Sequence, residues 1–157
     1  RTVVVTGHDR EGVETVLGGY DVAFAHNANY RNGMLTSVRC GLAALPIETT
    51  AFVIVLGDQP GITAEIIDAL IEAFEKGTHG IIVPMHGGGT GHPIVISAKY
   101  RNAVMTQFDK AGLRGLVYGH AEDVLRNPVK TGCVLRDMDT LDDYNREVRL
   151  TLEGHSQ

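Results

Sequence analysis

The sequence predicts an α/β domain doubly wound around a mostly parallel sheet, and three observations lead there. Short apolar, β-branched runs alternate with helical periodicities from Val3 to Val83. Ala51 to Leu56 is apolar throughout, the pattern of a strand covered on both faces. Polar and glycine clusters follow the apolar runs at Gly7-His8-Asp9, Asn27 to Gly33, Gly57 to Pro60 and His86 to His92. In doubly wound sheets ligands bind beyond the carboxyl ends of strands, so these clusters are the places to look for a site.

Each element follows from local pattern. Val3 to Thr6 reads as a strand, and Val13, Val16 and Leu17 give a helix over Arg10 to Leu17 that Gly18-Gly19 ends. Val22 to Ala25 is the next strand. Met34, Val38, Leu42 and Leu45 share a helical face, which Pro46 stops. After the Ala51 strand, Thr63 is placed to cap a helix striped by Ile66, Ile67, Leu70, Ile71 and Phe74, with Gly77 at its end. Gly80 to Pro84 and His92 to Ile96 read as strands flanking a glycine-rich loop. Helices are expected around Tyr100 to Phe108 and Leu113 to Tyr118, and an extended segment over Val129 to Leu135. Thr140 can cap a last helix carrying Leu141, Tyr144 and Val148.

The 157 residues suit a single domain, and 19 of them are glycine, well above the usual ~7%. Apolar residues at 43% and charged residues at 21% are ordinary for a folded soluble chain. No apolar run approaches a membrane span, so no membrane partner is expected. The net charge of −5 gives no reason to seek nucleic acid. Cys40 and Cys133 form no CxxC pair and no signal peptide is visible, which fits a reduced, cytoplasmic setting.

Several familiar signatures fail. No Gly-Lys pair exists for a Walker A loop. Gly87 to Gly91 does not complete GxGxxG, because His92 stands at the last position. His86-Gly87-Gly88-Gly89 resembles a hydrolase oxyanion loop, but the GxSxG nucleophile elbow is missing. The seven histidines show no HExxH spacing, so zinc is not expected.

Gly57-Asp58-Gln59-Pro60 carries more. An aspartate just after an apolar strand sits at the ligand-binding edge, where Mg²⁺ is held by one or two carboxylates together with substrate phosphates. The plainer alternative is a turn cap before the Thr63 helix. Asp137-Met138-Asp139-Thr140 is a second acidic cluster; in an extended segment Asp137 and Asp139 point the same way. Here the alternative is an acidic helix N-terminus, favoured by the dipole.

Taken together, Leu56 to Pro60 (LGDQP), Gly91 to Pro93 (GHP) and Asp137 to Tyr144 (DMDTLDDY) resemble the MobA-like molybdenum-cofactor nucleotidyltransferases, and among them the cytidylyl branch. Asn27 to Met34, Ser37 and Gly7-His8-Asp9 resemble further family segments in the same order. The resemblance implies a Rossmann-like fold of the nucleotide-diphospho-sugar transferase type. It implies transfer of CMP from CTP to the phosphate of molybdopterin, with release of pyrophosphate. Asp58 and Asp139 would be the catalytic metal ligands, holding Mg²⁺. Asn27, Gly33, Ser37 and Gly57 would face the nucleotide, and His92 and Arg114 the acceptor. For Ser37, His92 and Arg114 an ordinary surface role remains the alternative. A molybdoenzyme or its chaperone would be the further partner.

The sequence also departs from the family pattern. Leu141 replaces a usual proline, and Lys110-Ala111 precedes Gly112 where an acid is common, Asp109 being one place out of register. The family's opening strand and glycine-rich phosphate loop, LAAGxSxRMGxxK, have no counterpart in these residues. The resemblance thus implies a first βα unit, about 30 residues, ahead of Arg1. Two other readings stay open: transfer of another nucleotide or to a sugar phosphate, and a nucleotide-binding domain without turnover.

Overall fold

The structure is a computed structural model and describes residues 1–154. The chain forms two compact units, one of Arg1–Thr50 with Ser97–Ala121, the other of Ala51–Ile96 with the chain from Glu122 onward.

In the first unit, β1 (Val3–Thr6), α1 (Arg10–Leu17) and β2 (Ala23–His26) make a β-α-β unit whose strands pair in parallel, from Val3 opposite Ala23 to Thr6 opposite His26. The helix α1 forms where its spacing predicts, yet Val13 and Val16 are exposed. A short 3-10 turn (Tyr30–Asn32) interrupts the polar loop before α2 (Met34–Ala44). Leu35 and Leu42 are the buried side of α2, while Met34, expected on that face, is exposed. Gly41 lets α2 approach β1: a Cβ there would lie 3.0 Å from Val5 Cγ2.

A 3-10 turn over Ala98–Tyr100 leads into α4 (Arg101–Thr106), and α5 (Gly112–Gly119) follows. Two arginines bind α2 and α4 reciprocally. Arg39 donates from Nε to Val104 O at 2.8 Å and from Nη2 to Gln107 O at 2.6 Å, at the carboxyl end of α4. Arg101 donates to Leu42 O, Leu45 O and Pro46 O at 2.5, 2.7 and 2.8 Å, at the carboxyl end of α2. Each guanidinium therefore adds charged donors to carbonyls at and just beyond the carboxyl end of the other helix.

The second unit holds β3 (Ala51–Ile54), α3 (Ala64–Lys76), β4 (Ile81–His86), β5 (Gly89–Thr90), β6 (Ile94–Ser97), β7 (Val124–Pro128) and α6 (Leu141–Gly154). The strand order is β3-β6-β4-β5, with β7 also on β4. The pairing of β4 with β7 is parallel; its pairings with β5 and β6 are antiparallel. The α/β class is as expected, but this sheet is mixed.

The doubly covered strand is not the expected one. Val55 is 48% exposed and only Phe52 of β3 is buried, because β3 pairs with β6 alone among the described residues. In β4, Ile81 to Pro84 are all buried, because strands flank it on both sides. Ile66 and Leu70 of α3 pack on Ile82 and Val95 with Cys133 and Val134 to make the core.

The glycine loop is a hairpin: Met85 faces Thr90 and His86 faces Gly89 across a two-residue turn. Gly87 and Gly88 sit at φ +56° and +85°, which the tight primed turn requires. The segment Val129–Leu135 is not extended. The strand lies just before it, in register with β4; then Thr131 Oγ1 accepts from Cys133 N and the chain coils into a 3-10 turn over Gly132–Leu135. That turn carries Cys133 and Val134 into the core. Leu141, Tyr144 and Val148 of α6 are exposed, whereas Glu147 is buried.

Two outcomes follow. A Cβ on Gly91 would stand 1.8 Å from Val134 O, a backbone clash that no rotamer relieves. Gly91→Ala should cost about 1–3 kcal/mol or more, read as a lowered midpoint in denaturant unfolding; an unchanged midpoint would contradict the close approach. At α6, Asp143 Oδ2 accepts from Thr140 N and Oγ1, and Asp143 N donates to Thr140 Oγ1, a reciprocal cap. The Thr140 hydroxyl first, then Thr140 N–H and Arg146, hold the Asp143 carboxyl below its ordinary range. A lowered folded value gives stability that is present above the unfolded value and lost as the pH falls through the folded one. Asp143→Ala should be less stable than the parent at neutral pH, with the difference vanishing in acid; a difference independent of pH would refute this cap.

Candidate active site

The loop after β3 carries Gly57, Asp58 and Gln59. Gly57 is exposed with open space around its Cα, so the fold places no steric demand for glycine there. Asp58 is half-buried, and its Oδ1 is shut off from solvent with no hydrogen-bond partner. A buried carboxylate oxygen without a donor is costly unless a cation or ligand donor meets it.

The second acidic segment comes to this loop through its backbone. Met138 N–H donates to Asp58 O at 2.9 Å. Beside it, Gln59 Nε2 donates to Asp137 Oδ1 at 2.7 Å. Arg136, at the start of the segment, pairs with α6, its Nε 3.2 Å from Glu147 Oε1. At its end, the Thr140–Asp143 cap fixes where α6 begins. Asp139 thus follows directly on a residue bonded to Asp58, and it is exposed. Three acids, Asp58, Asp137 and Asp139, stand on two segments in contact, while the nearby Arg136 is committed to Glu147.

The donor set suits a hard cation. The two segments bring acids rather than His or Cys to this loop, and no group of three or more His, Cys, Asp or Glu side chains able to hold a metal occurs among the described residues. Two carboxylates with room for oxygens from elsewhere is the arrangement Mg²⁺ and Mn²⁺ accept when substrate phosphates complete the shell. The partnerless Asp58 Oδ1 fits such an ion.

Gly91 and His92 belong to the same unit. His92 N–H donates to Val134 O at 3.2 Å, the carbonyl that excludes a side chain at Gly91. The His92–Pro93 peptide is cis.

The remaining expected site residues lie in the first unit. Asn27 is buried, and its amide N–H groups are not open to a ligand: Nδ2 donates to Thr36 Oγ1 at 2.8 Å and Ser37 Oγ at 3.0 Å. Its Oδ1 accepts from Asn29 N at 2.9 Å. Asn27 therefore organises the entry to α2 and orients the Ser37 hydroxyl. Gly33 caps α2 at φ +102°, a conformation that favours glycine. A pocket of about 600 Å³ opens beside them, lined among others by Asn27, Asn29, Asn32, Thr36 and Arg39. Arg114 is exposed on α5.

The sequence grouped Asp58 with Asp139, and the Met138 bond brings their segments together. It did not single out Gln59 as more than part of a motif, nor Arg39, Arg136 or Glu147. Gln59 was visible inside LGDQP; no sequence signal pairs Arg136 with Glu147. Among the described residues no helix is long and apolar enough to cross a membrane.

The chain is similar to known proteins in sequence and in fold. Over 146 residues the chain is 28% identical to the molybdenum cofactor cytidylyltransferase of Escherichia coli K12, covering 92% of this chain and 72% of that protein. The crystal structure of Rv0371c from Mycobacterium tuberculosis H37Rv in complex with manganese matches with a TM-score of 0.75 at 28% identity, covering 94% of this chain and 77% of that one. A nucleotidyl transferase from Methanothermobacter shares the fold, with a TM-score of 0.79 at 20% identity over 97% of this chain and 73% of that one. The profile of the MobA-like NTP transferase domain matches residues 1–124. The chain belongs to the MobA-like NTP transferase domain family, and its enzymatic class is nucleotidyltransferase.

Proposed function

We propose that the protein transfers CMP from CTP to the phosphate of a molybdopterin-type acceptor, releasing pyrophosphate, with a divalent cation held by Asp58 and Asp139. The observation that carries this reading is the meeting of the two acidic segments at Met138 N–H and Asp58 O, beside the partnerless Asp58 Oδ1. The likeness to the E. coli cytidylyltransferase supports cytidine and molybdopterin as substrates. The manganese complex of Rv0371c supports a divalent ion, and Mg²⁺ shares its preference for oxygen ligands.

The phosphate oxygen of the acceptor attacks the α-phosphorus of CTP; the new P–O bond forms as the bond to the bridging oxygen breaks, and pyrophosphate leaves with that electron pair. Such a displacement needs positioning and charge neutralisation rather than a covalent protein intermediate. The cation, when bound, offsets the charge of the triphosphate. Asp58 and Asp139 hold and orient it, which is why they belong on segments tied together by backbone. Gly33 and Ser37 meet the nucleotide, Gly57 leaves its approach open, and Asn27 acts on it through the Ser37 hydroxyl that it orients. His92 and Arg114 address the acceptor, Arg114 being suited to bidentate contact with a phosphate.

Asp58→Ala and Asp139→Ala in the native full-length protein should each lower pyrophosphate release from CTP roughly 10²-fold or more, with little change in unfolding midpoint. Undiminished turnover in either would refute the metal assignment. Assaying the parent with each of the four nucleoside triphosphates should show CTP preferred. A different preferred nucleotide would redirect the substrate; tight binding with no product would mean a binding domain.

A further inference from the structure

Gln59 carries a feature that the proposed chemistry does not use. It is a polar side chain only 5% exposed, lying in the loop next to Asp58. Its Nε2 donates to Asp137 Oδ1 at 2.7 Å, across 78 residues of sequence. The partner fixes which way the amide faces, because an ionised carboxylate only accepts and so must be met by the NH₂ end. Gln59 Oε1 is buried with no hydrogen-bond partner. A buried amide held at one end and unsatisfied at the other is a costly arrangement for a loop. Asp137 is exposed, so solvating it does not require Gln59.

The bond has a geometric consequence. Asp137 is occupied by Gln59, and Met138 N–H is occupied by Asp58 O. Two successive residues are thus pinned to two successive residues of the opposite loop, fixing both the position and the direction of the chain entering Asp139. One hydrogen bond alone would leave the segment free to pivot. Arg136, the residue just before Asp137, is paired with Glu147.

We propose that Gln59 is a positioning residue for the cation site: its bond to Asp137 sets the acidic segment so that Asp139 can share a divalent ion with Asp58, and Asp137 serves as the tether's anchor rather than as a metal ligand. This inference rests on the Asp58–Asp139 reading and adds a division of labour between Asp137 and Asp139. Residues that orient metal ligands without touching the metal typically change metal affinity by about 10–100-fold when removed.

The test is Mn²⁺ titration of the substrate-free protein by electron paramagnetic resonance, joined to amide exchange at Met138 in the metal-free protein. Gln59→Met keeps the length of the side chain and removes the donor; Mn²⁺ affinity should fall by about tenfold or more, and Met138 exchange should quicken. Asp137→Ala, at an exposed position, should do the same and serves if Gln59→Met does not fold. Asp137→Asn keeps an acceptor oxygen and should retain both the affinity and the slow exchange. Gln59→Glu should fail alone through like charge, and recover in combination with Asp137→Asn, which restores one amide–carboxylate pair with donor and acceptor exchanged.

Asp58→Ala distinguishes loss of the tether from loss of the metal site. Lost Mn²⁺ binding in Asp58→Ala with parental binding and exchange in Gln59→Met and Asp137→Ala overturns the tether and leaves the metal reading standing. Retained Mn²⁺ binding in Asp58→Ala overturns the metal reading, and this inference with it. Loss of binding in Asp137→Asn overturns the division of labour, since it would make Asp137 a ligand.

Discussion

Two hydrogen bonds carry the second unit's chemistry: Met138 N–H to Asp58 O, and Gln59 Nε2 to Asp137 Oδ1. Carboxylates repel one another, so segments bearing Asp58, Asp137 and Asp139 come together only if something else holds them. Backbone and amide donors do this without cancelling the charge. The surrounding fold serves that contact. The strand β3 delivers the Asp58 loop, and β7 in register with β4 sets the path that returns through the Gly132–Leu135 turn to Arg136. Glu147 and the Thr140–Asp143 cap hold the far side of the segment to α6.

The same logic explains why Glu147 is buried on a helix whose Leu141, Tyr144 and Val148 are exposed. A buried carboxylate needs partners. Glu147 has Arg136 at 3.2 Å and Arg146 at 3.6 Å. Apolar periodicity would place α6 by its hydrophobic stripe; the ion pair that ties it to another segment is Glu147 with Arg136, the Arg146 pairs lying within the helix. In the first unit guanidinium groups again do the joining, Arg39 and Arg101 each binding the carbonyls at the end of the other's helix.

Elements set by short-range pattern were legible in the sequence. The strand β1, the helices α1 and α3 and the start of α6 form where β-branched runs and apolar spacing place them; Thr140 caps α6 through its side chain, whereas Thr63 stands at the N-cap of α3 without a side-chain capping bond. Features set by neighbours were not. Ala51–Leu56 and Ile81–Pro84 are both apolar runs, and only strand order decides that the second is the covered one. Val129–Leu135 looks extended by composition, but parallel register with β4 uses the residues before it. At the site, Asp58 and Asp139 could be named because their residue types suit the chemistry. The contact between their segments could not, because it runs through Met138 N–H, a group every residue but proline possesses. Asn27 was expected beside the nucleotide, and its amide N–H groups are taken by Thr36 and Ser37.

Asp58 and Asp139 are proposed to share one divalent cation. Anomalous diffraction from crystals of the protein grown with Mn²⁺ and CTP locates that ion directly. The expected result is a single strong peak coordinated by an oxygen of each carboxylate, with Asp137 still bonded to Gln59. A peak on Asp137, or none at Asp58, would contradict it.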